Sequence, residues 1–480
     1  MWTRRAAIAR GASLVAVGTT VMNAAVYLFT LLAARRLGPE AYSAVAALMG
    51  VVLVVNVLAL GVQATTARRV AQRDGPAVEP TMLATARRAA FVLGLICLAL
   101  SPVASTVLRL DSWLTAATVA VTAAALTVTG AQLGILHWRR DWRAFAILSV
   151  AMGAGRLVVG GAAIALWPTT LGAMTGVALG AIVPIVVGHR LTRARSTTSP
   201  GSALPADPSG RAPIGLLREV AHDSHTLLAF FALTQVDVFA ARVTLPADEA
   251  GNYASGLILS KAVLFLPTFV TVMAFPALAR RAGHRHLHLL GLAVILAIGL
   301  VAVGATLVAP DLALVFVGGE AYSAVADDLW LFAVLGTVTA MIQLLVQTAL
   351  ARTHRRAVWW IWGAFALVVA GLPLIGTGHE LLLFVLAVDA VLVALLVWVT
   401  WSDAVDAVTT SRPRCPADPV PAVVVRGTTC RAGQCAASCQ ERPTPTLTSS
   451  GTSICTAAPI SRRTSASSTS RSPGATSSTS

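Results

Sequence analysis

The sequence predicts an all-α membrane protein: twelve transmembrane helices in two parallel-repeat six-helix lobes around a central cavity, both termini cytoplasmic, and a disordered C-terminal tail. Three observations predict it. Of 480 residues, 56% are hydrophobic and only 12% are charged, and the mean hydropathy of +0.75 is one that no soluble globular domain of this length shows. Apolar runs long enough to cross a bilayer recur along the chain, separated by short connections. Arginines crowd into every second connection.

The chain opens on a basic leader, Met1 to Arg10, and an apolar run from Gly11 to Ala33. A cleaved signal peptide has a shorter apolar core with small residues behind it, whereas Arg35 and Arg36 stand there, so the run reads as the first span. Further runs follow at Ala44 to Thr65, Ala89 to Val107, Trp113 to Leu136, Ala144 to Trp167 and Thr170 to Val187, each close to the ~20 residues that cross a bilayer. They complete an N-terminal lobe, residues 1–188. Residues 189–225 are a cytoplasmic linker, polar and broken by Pro200-Gly201, Pro205 and Pro208-Ser209-Gly210.

A C-terminal lobe, residues 226–402, repeats the pattern with runs at Thr226 to Val243, Ser255 to Leu278, Leu287 to Val308, Leu329 to Leu350, Ala357 to Ile375 and Leu381 to Trp401. Residues 403–480 have no aromatic side chain and are rich in Ser, Thr, Pro and Arg, so they cannot bury a core and are expected to be disordered. Five of the six cysteines lie in this tail: Cys415, Cys430, Cys435, Cys439 and Cys455. Their spacings contain no CxxC knuckle and the tail has no His, which argues against zinc. The abrupt change of composition after Trp401 points to an altered reading frame.

The formal charge of +15 comes from 36 basic residues, all but one of them Arg. A nucleic-acid partner would need a basic domain or face; here the arginines are scattered over loops. Counted by alternate connections, 22 lie on the side of the termini and 4, namely Arg35, Arg36, Arg109 and Arg242, on the other, which puts both termini in the cytoplasm. Groups such as Arg139, Arg140 and Arg143 read as ordinary inside-facing anchors. The two halves also echo one another. Tyr42 opens the second span and Arg68-Arg69 ends it, as Tyr253 and Arg280-Arg281 bound the eighth, and Glu40-Ala-Tyr-Ser-Ala-Val-Ala46 recurs as Glu320 to Ala326. Since each half starts on the same side, the repeats would be parallel.

Four charges fall inside spans, where each costs about 2.5–3.5 kcal/mol on insertion scales unless it has a partner, a wet cavity or a function. Asp237 and Lys261 lie on consecutive helices of one hairpin, each roughly 12–14 Å from its turn, so they sit at matched depth. Arg156 is the one ionisable residue near mid-membrane in a lobe whose spans hold no Asp or Glu, and Gly153, Gly155, Gly160 and Gly161 around it would let another backbone pack closely. Asp389, in the twelfth span, completes the layer. Mutual neutralisation between the lobes is the structural alternative for all four, and for Asp389 the favoured one. Among uncharged residues, Asn23, Asn56, Gln63, Gln132 and Gln235 lie within spans, and Gln343 and Gln347 share a helix face. Hydrogen bonding between helices accounts for any one of them as well as ligand contact does.

The hairpin carries a resemblance. Gln235-x-Asp237, the turn Asp248-Glu249-Ala250-Gly251-Asn252-Tyr253-Ala254, then Lys261, Leu266-Pro267, Phe275-Pro276 and Arg280-Arg281 resemble the seventh and eighth helices of polysaccharide-type flippases. Those belong to the multidrug/oligosaccharidyl-lipid/polysaccharide (MOP) transporter superfamily. The resemblance implies a flippase that moves a polyprenyl-diphosphate-linked oligosaccharide across the plasma (inner) membrane for cell-surface polysaccharide synthesis. It implies as partners the lipid-linked glycan, membrane lipids, and glycan polymerase or export proteins.

On that reading Arg156, Asp237, Lys261, Gln235, Asn23, Gln343 and Gln347 are the candidate cavity residues, and Asp237 and Asp389 the candidates for coupling to H+ or Na+. No other cofactor and no metal is expected. With no Gly-rich phosphate loop, metal-ligand cluster or large outer domain, the chain does not read as an enzyme. A cation-coupled multidrug antiporter remains open, although it would call for carboxylates that the N-terminal lobe lacks. So do a peptidoglycan-precursor flippase and a non-transporting partner in a glycan-export complex.

Overall fold

The computed structural model describes residues 2–72, 79–193, 212–278, 284–351 and 355–410. The chain divides into two units, Met1–Arg412 and Pro413–Ser480, of which only the first contains described residues. The tail cysteines, residues 194–211 of the linker, and Arg280, Arg281 and Arg352 thus lie outside the described part.

All described elements are helical. Helix α1 (Trp2–Gln72) is interrupted at Gly38, with φ 75° and ψ 172°, a backbone shape that glycine adopts without steric cost. Pro39 follows, unable to donate to the helical ladder. The break separates the first two predicted spans. Helix α2 (Glu79–Val107) runs to a left-handed residue, Arg109 (φ 49°). Ser112, Asp141 and Thr169 then start α3 (Trp113–Trp138), α4 (Trp142–Gly155) and α6 (Thr170–Gly180), each side chain accepting from an amide of the first turn. Such caps are worth on the order of 1 kcal/mol because those amides have no intrahelical partner. Between α4 and α6 the chain passes through a π-helical turn, Arg156–Gly160, and the short α5 (Gly161–Leu166). A turn at Ala181 separates α6 from α7 (Ile182–Arg193).

The second half contains α8 (Ala212–Thr244), α9 (Ala247–Leu278), α10 (His284–Val308), α11 (Pro310–Val317), a 3-10 segment (Glu320–Asp328), α12 (Leu329–Ala351), α13 (Arg355–Gly371) and α14 (Gly378–Thr410). Helices α7 and α8 reach into the segment expected as linker, and α14 into the segment expected as tail.

Among the described residues nine helices are long and apolar enough to cross a membrane, three fewer than the sequence predicts. The difference has three sources. Residues 13–67 form one continuous apolar stretch that includes the break at Gly38; the side chains of α9 beyond Leu264 are outside the described set; and Val358–Leu374 is apolar but short. A broad apolar exterior that includes Phe91, Leu95, Val103, Val301, Val308 and Trp359 faces outward as a soluble protein's surface would not. The molecule is a multi-pass membrane protein.

Helix α1 is the spine, packing on α3 and α4 of its own half and on α8 and α9 of the other. One apolar cluster runs continuously across both halves, from Phe29 and Leu48 to Ile258 and Phe332. Some buried hydroxyls are satisfied locally: those of Thr122, Thr127 and Thr129 donate to carbonyls one turn back, so they are buried without needing a second helix. At the end nearer the termini, Arg139 corrects the expectation of a plain loop anchor. It forms a buried ion pair with Glu79 and donates to the Thr192 carbonyl at 3.0 Å, tying α2, α3 and α7 together.

Candidate functional site

A cavity of about 380 Å³ opens between the two halves. It is lined by α1, the π turn, the α6–α7 break, α8, α9 and α12. Of the candidate cavity and coupling residues, Asn23, Arg156, Gln235, Asp237, Lys261 and Gln343 all line it. Two do not: Gln347, one turn beyond Gln343, is exposed near the end of α12, and Asp389 is buried outside the lining. Asn56, Thr234, Ser260 and Thr339 add polar groups, and Met22, Met49 and Met152 give a soft, adaptable wall.

Arg156 is the first residue of the π turn. One extra residue per turn widens the helix there, and such bulges occur mostly as single turns at functional sites. Its neighbour is the other broken segment. A Cβ on Gly180 would fall 2.5 Å from the Gly155 carbonyl oxygen, and one on Gly155 would strike the Gly180 carbonyl, so the two backbones touch as the glycine pattern predicts. Both helices lose regularity at the depth where they border the cavity, the one place where irregular backbone is tolerated inside a membrane. Among the described residues the Arg156 guanidinium has no hydrogen-bond or ion-pair partner.

The opposite wall differs. Asp237 is 6% exposed, and its Oδ1 accepts from the Val238 amide at 2.7 Å. Lys261 lies within electrostatic reach of Asp237, but the two form no direct ion pair. Behind the wall Asp389 is 6% exposed, with Oδ1 lacking a partner, and the Tyr253 hydroxyl and Gln235 Nε2 are likewise buried without one. Asp389 feels the charge of Asp237, and Tyr253 feels both carboxylates. Sequence reasoning saw Tyr253 only as a helix opening. A tyrosine at a span's end reads as an interfacial anchor, and nothing local announces that its ring packs on Phe332, centroids 5.3 Å apart, beside two carboxylates.

Among the described residues three ionisable side chains therefore line the cavity: Arg156 from the first half, and Asp237 and Lys261 from the second. The arrangement can hold an anionic group near Arg156 and a counter-charge near Asp237 within a mainly apolar chamber.

No protein-family model matches the sequence, and no curated protein does. Solved structures do match in shape. An inward-facing multidrug-resistance MATE family transporter of the MOP superfamily is similar, with a TM-score of 0.62 at 16% identity over 82% of this chain and 96% of that one. An outward-facing multidrug-resistance MATE family transporter gives a TM-score of 0.53 at 15% identity over 84% and 97%. A MATE structure in complex with MaL6 gives the same TM-score and coverage. The likeness covers most of the chain and concerns backbone arrangement, so the all-helical fold of this protein is MATE-like.

Proposed function

We propose that this protein is an alternating-access flippase that carries a polyprenyl-diphosphate-linked oligosaccharide across the plasma membrane for surface polysaccharide synthesis. The observation that supports the reading is Arg156, unpartnered among the described residues, in a cavity whose described first-half lining has no carboxylate. A guanidinium grips phosphate oxygens through two parallel bonds, and an acid-free surround leaves it free to do so. The sugars would meet Asn23, Asn56, Gln235 and Gln343. Twelve spans with cytoplasmic termini, as the arginine asymmetry favours, would present the cavity to substrate made on the inner face. Coupling to H+ or Na+ would fall to Asp237 and Asp389, and glycan polymerase or export proteins would receive the product.

Cation-coupled multidrug export is a second reading, supported by Asp237 in the cavity and by a fold shared with multidrug transporters. Proteoliposomes separate the two. With purified protein alone, a fluorescent lipid-diphosphate sugar should flip, and Arg156→Ala should abolish flipping at unchanged protein density. Accumulation of a lipophilic cation that depends on Asp237, without sugar flipping, would decide for the antiporter. Activity toward neither would leave an assembly partner.

A further inference from the structure

At the end of the bundle away from the termini, the halves are joined by polar contacts that centre on Arg242 in the last turn of α8. Its side chain is 7% exposed and all its hydrogen bonds reach the other half. Nε donates to the Leu108 carbonyl at 2.9 Å, Nη2 to the Arg109 carbonyl at 2.8 Å, and Nη1 to Ser43 Oγ at 2.7 Å.

Leu108 and Arg109 are where α2 stops. The Leu110 amide closes back onto the Ser105 carbonyl at 2.9 Å with Arg109 at φ 49° between them, a helix-ending turn that normally uses glycine. It leaves the last carbonyls of α2, the negative end of its dipole, pointing at the second half, where a guanidinium meets them. Among the described residues nothing within the first half supplies that cap. Tyr322 extends the seam, its hydroxyl donating to the Ala34 carbonyl at 2.8 Å and its ring meeting Tyr42 edge-on.

We infer that Arg242 is a latch: a helix cap contributed across the interface that holds this mouth of the cavity shut, and whose release opens it. Rotating the halves apart strands two α2 carbonyls and a buried guanidinium until water enters, so closed and open are separate states rather than a continuum. Residues 37–43, which bear the Gly38 break and Ser43, supply the hinge side of the seam. The inference rests on alternating access in the proposed function, though not on any particular cargo.

The test uses the full chain with its six cysteines replaced by Ser and spin labels at the exposed Trp113 and Ser323 positions, one on each half. Electron-electron distances are measured in nanodiscs without substrate. The parent should show one short-distance population. Arg242→Ala should raise a longer-distance population by about tenfold or more relative to the parent, the scale expected when several partly buried hydrogen bonds are lost together. Arg242→Lys, with one point donor in place of a fork, should fall between, and Ser43→Ala should shift it least. If Arg242→Ala does not accumulate as folded protein, Arg242→Lys and Ser43→Ala decide. Distances identical to the parent in all folded variants would overturn the latch and leave the transport reading untouched. Shifted distances in a protein that flips no lipid-linked sugar would keep the latch and remove the cargo.

Discussion

The two walls of the cavity are built on different principles. Among the described residues the first-half wall offers one cation, Arg156, with no carboxylate in its lining, on a π turn that touches a second broken helix at Gly180. The second-half wall is regular helix carrying charges of both signs, Asp237 and Lys261, with Asp389 and Tyr253 buried behind it. A lone cation on irregular backbone can change partners as the halves move. Clustered carboxylates behind a smooth wall suit a small ion that enters and leaves without reshaping the helix. Under the proposed function, cargo would fall to the first half and coupling to the second.

The largest expected effect breaks the first wall. Arg156→Ala should lower sugar-lipid flipping at least about a hundredfold, since a charge-assisted bidentate contact is lost in a low-dielectric site, with the amount of folded protein in the membrane unchanged. Arg156→Lys should recover part of the rate. Equal rates for all three proteins would make Arg156 a structural residue and erase the contrast.

Next in size is the backbone beneath it. Gly155→Ala sets a methyl group against the Gly180 carbonyl, an overpacking that costs about 1–3 kcal/mol, so the detergent-solubilised protein should melt several degrees lower. An unchanged melting temperature would show that α4 and α6 shift apart at no cost.

How far this was legible in the sequence follows from what each residue needed. Charges in apolar runs are conspicuous, so Arg156, Asp237 and Lys261 were found from the sequence, and depth counted along each helix placed them in one layer. The glycines near Arg156 gave away close packing. Arg242 and Tyr253 were hidden because both stand near span ends, where an Arg or a Tyr is ordinary, and only the folded chain brings Arg242 onto the opposite half and Tyr253 onto Phe332 and two carboxylates of its own half. The Gly38 break was a visible Gly-Pro pair in a connection, yet its role at the seam depends on Ser43 facing Arg242. Asp389 and Gln347 were grouped with cavity residues by depth and periodicity, but neither says which face borders the cavity, and neither residue lines it.

A smaller effect sharpens the second wall. If Asp389 serves coupling, Asp389→Asn should abolish the dependence of transport on an imposed H+ or Na+ gradient while sugar-lipid binding to the cavity persists. Loss of binding as well would place Asp389 with the cargo. Retained gradient dependence would remove it from coupling.

The smallest effect concerns the pair that sequence depth alone made to look like partners. Asp237 and Lys261 feel one another's charge but make no direct ion pair, and each borders the cavity, where water or cargo screens them. Removing either therefore leaves the other solvated rather than stranded, unlike a sealed pair, in which loss of one partner costs about 3–5 kcal/mol. A double-mutant cycle of Asp237→Asn and Lys261→Gln on thermal stability should give a coupling energy below about 1 kcal/mol. The same cycle on transport should differ if the two act on separate tasks, Asp237→Asn altering gradient dependence and Lys261→Gln altering the apparent affinity for the diphosphate. A stability coupling of several kcal/mol would mean that the pair closes into a dry ion bridge in another state of the transport cycle, and that the second wall is held together by the charges it presents.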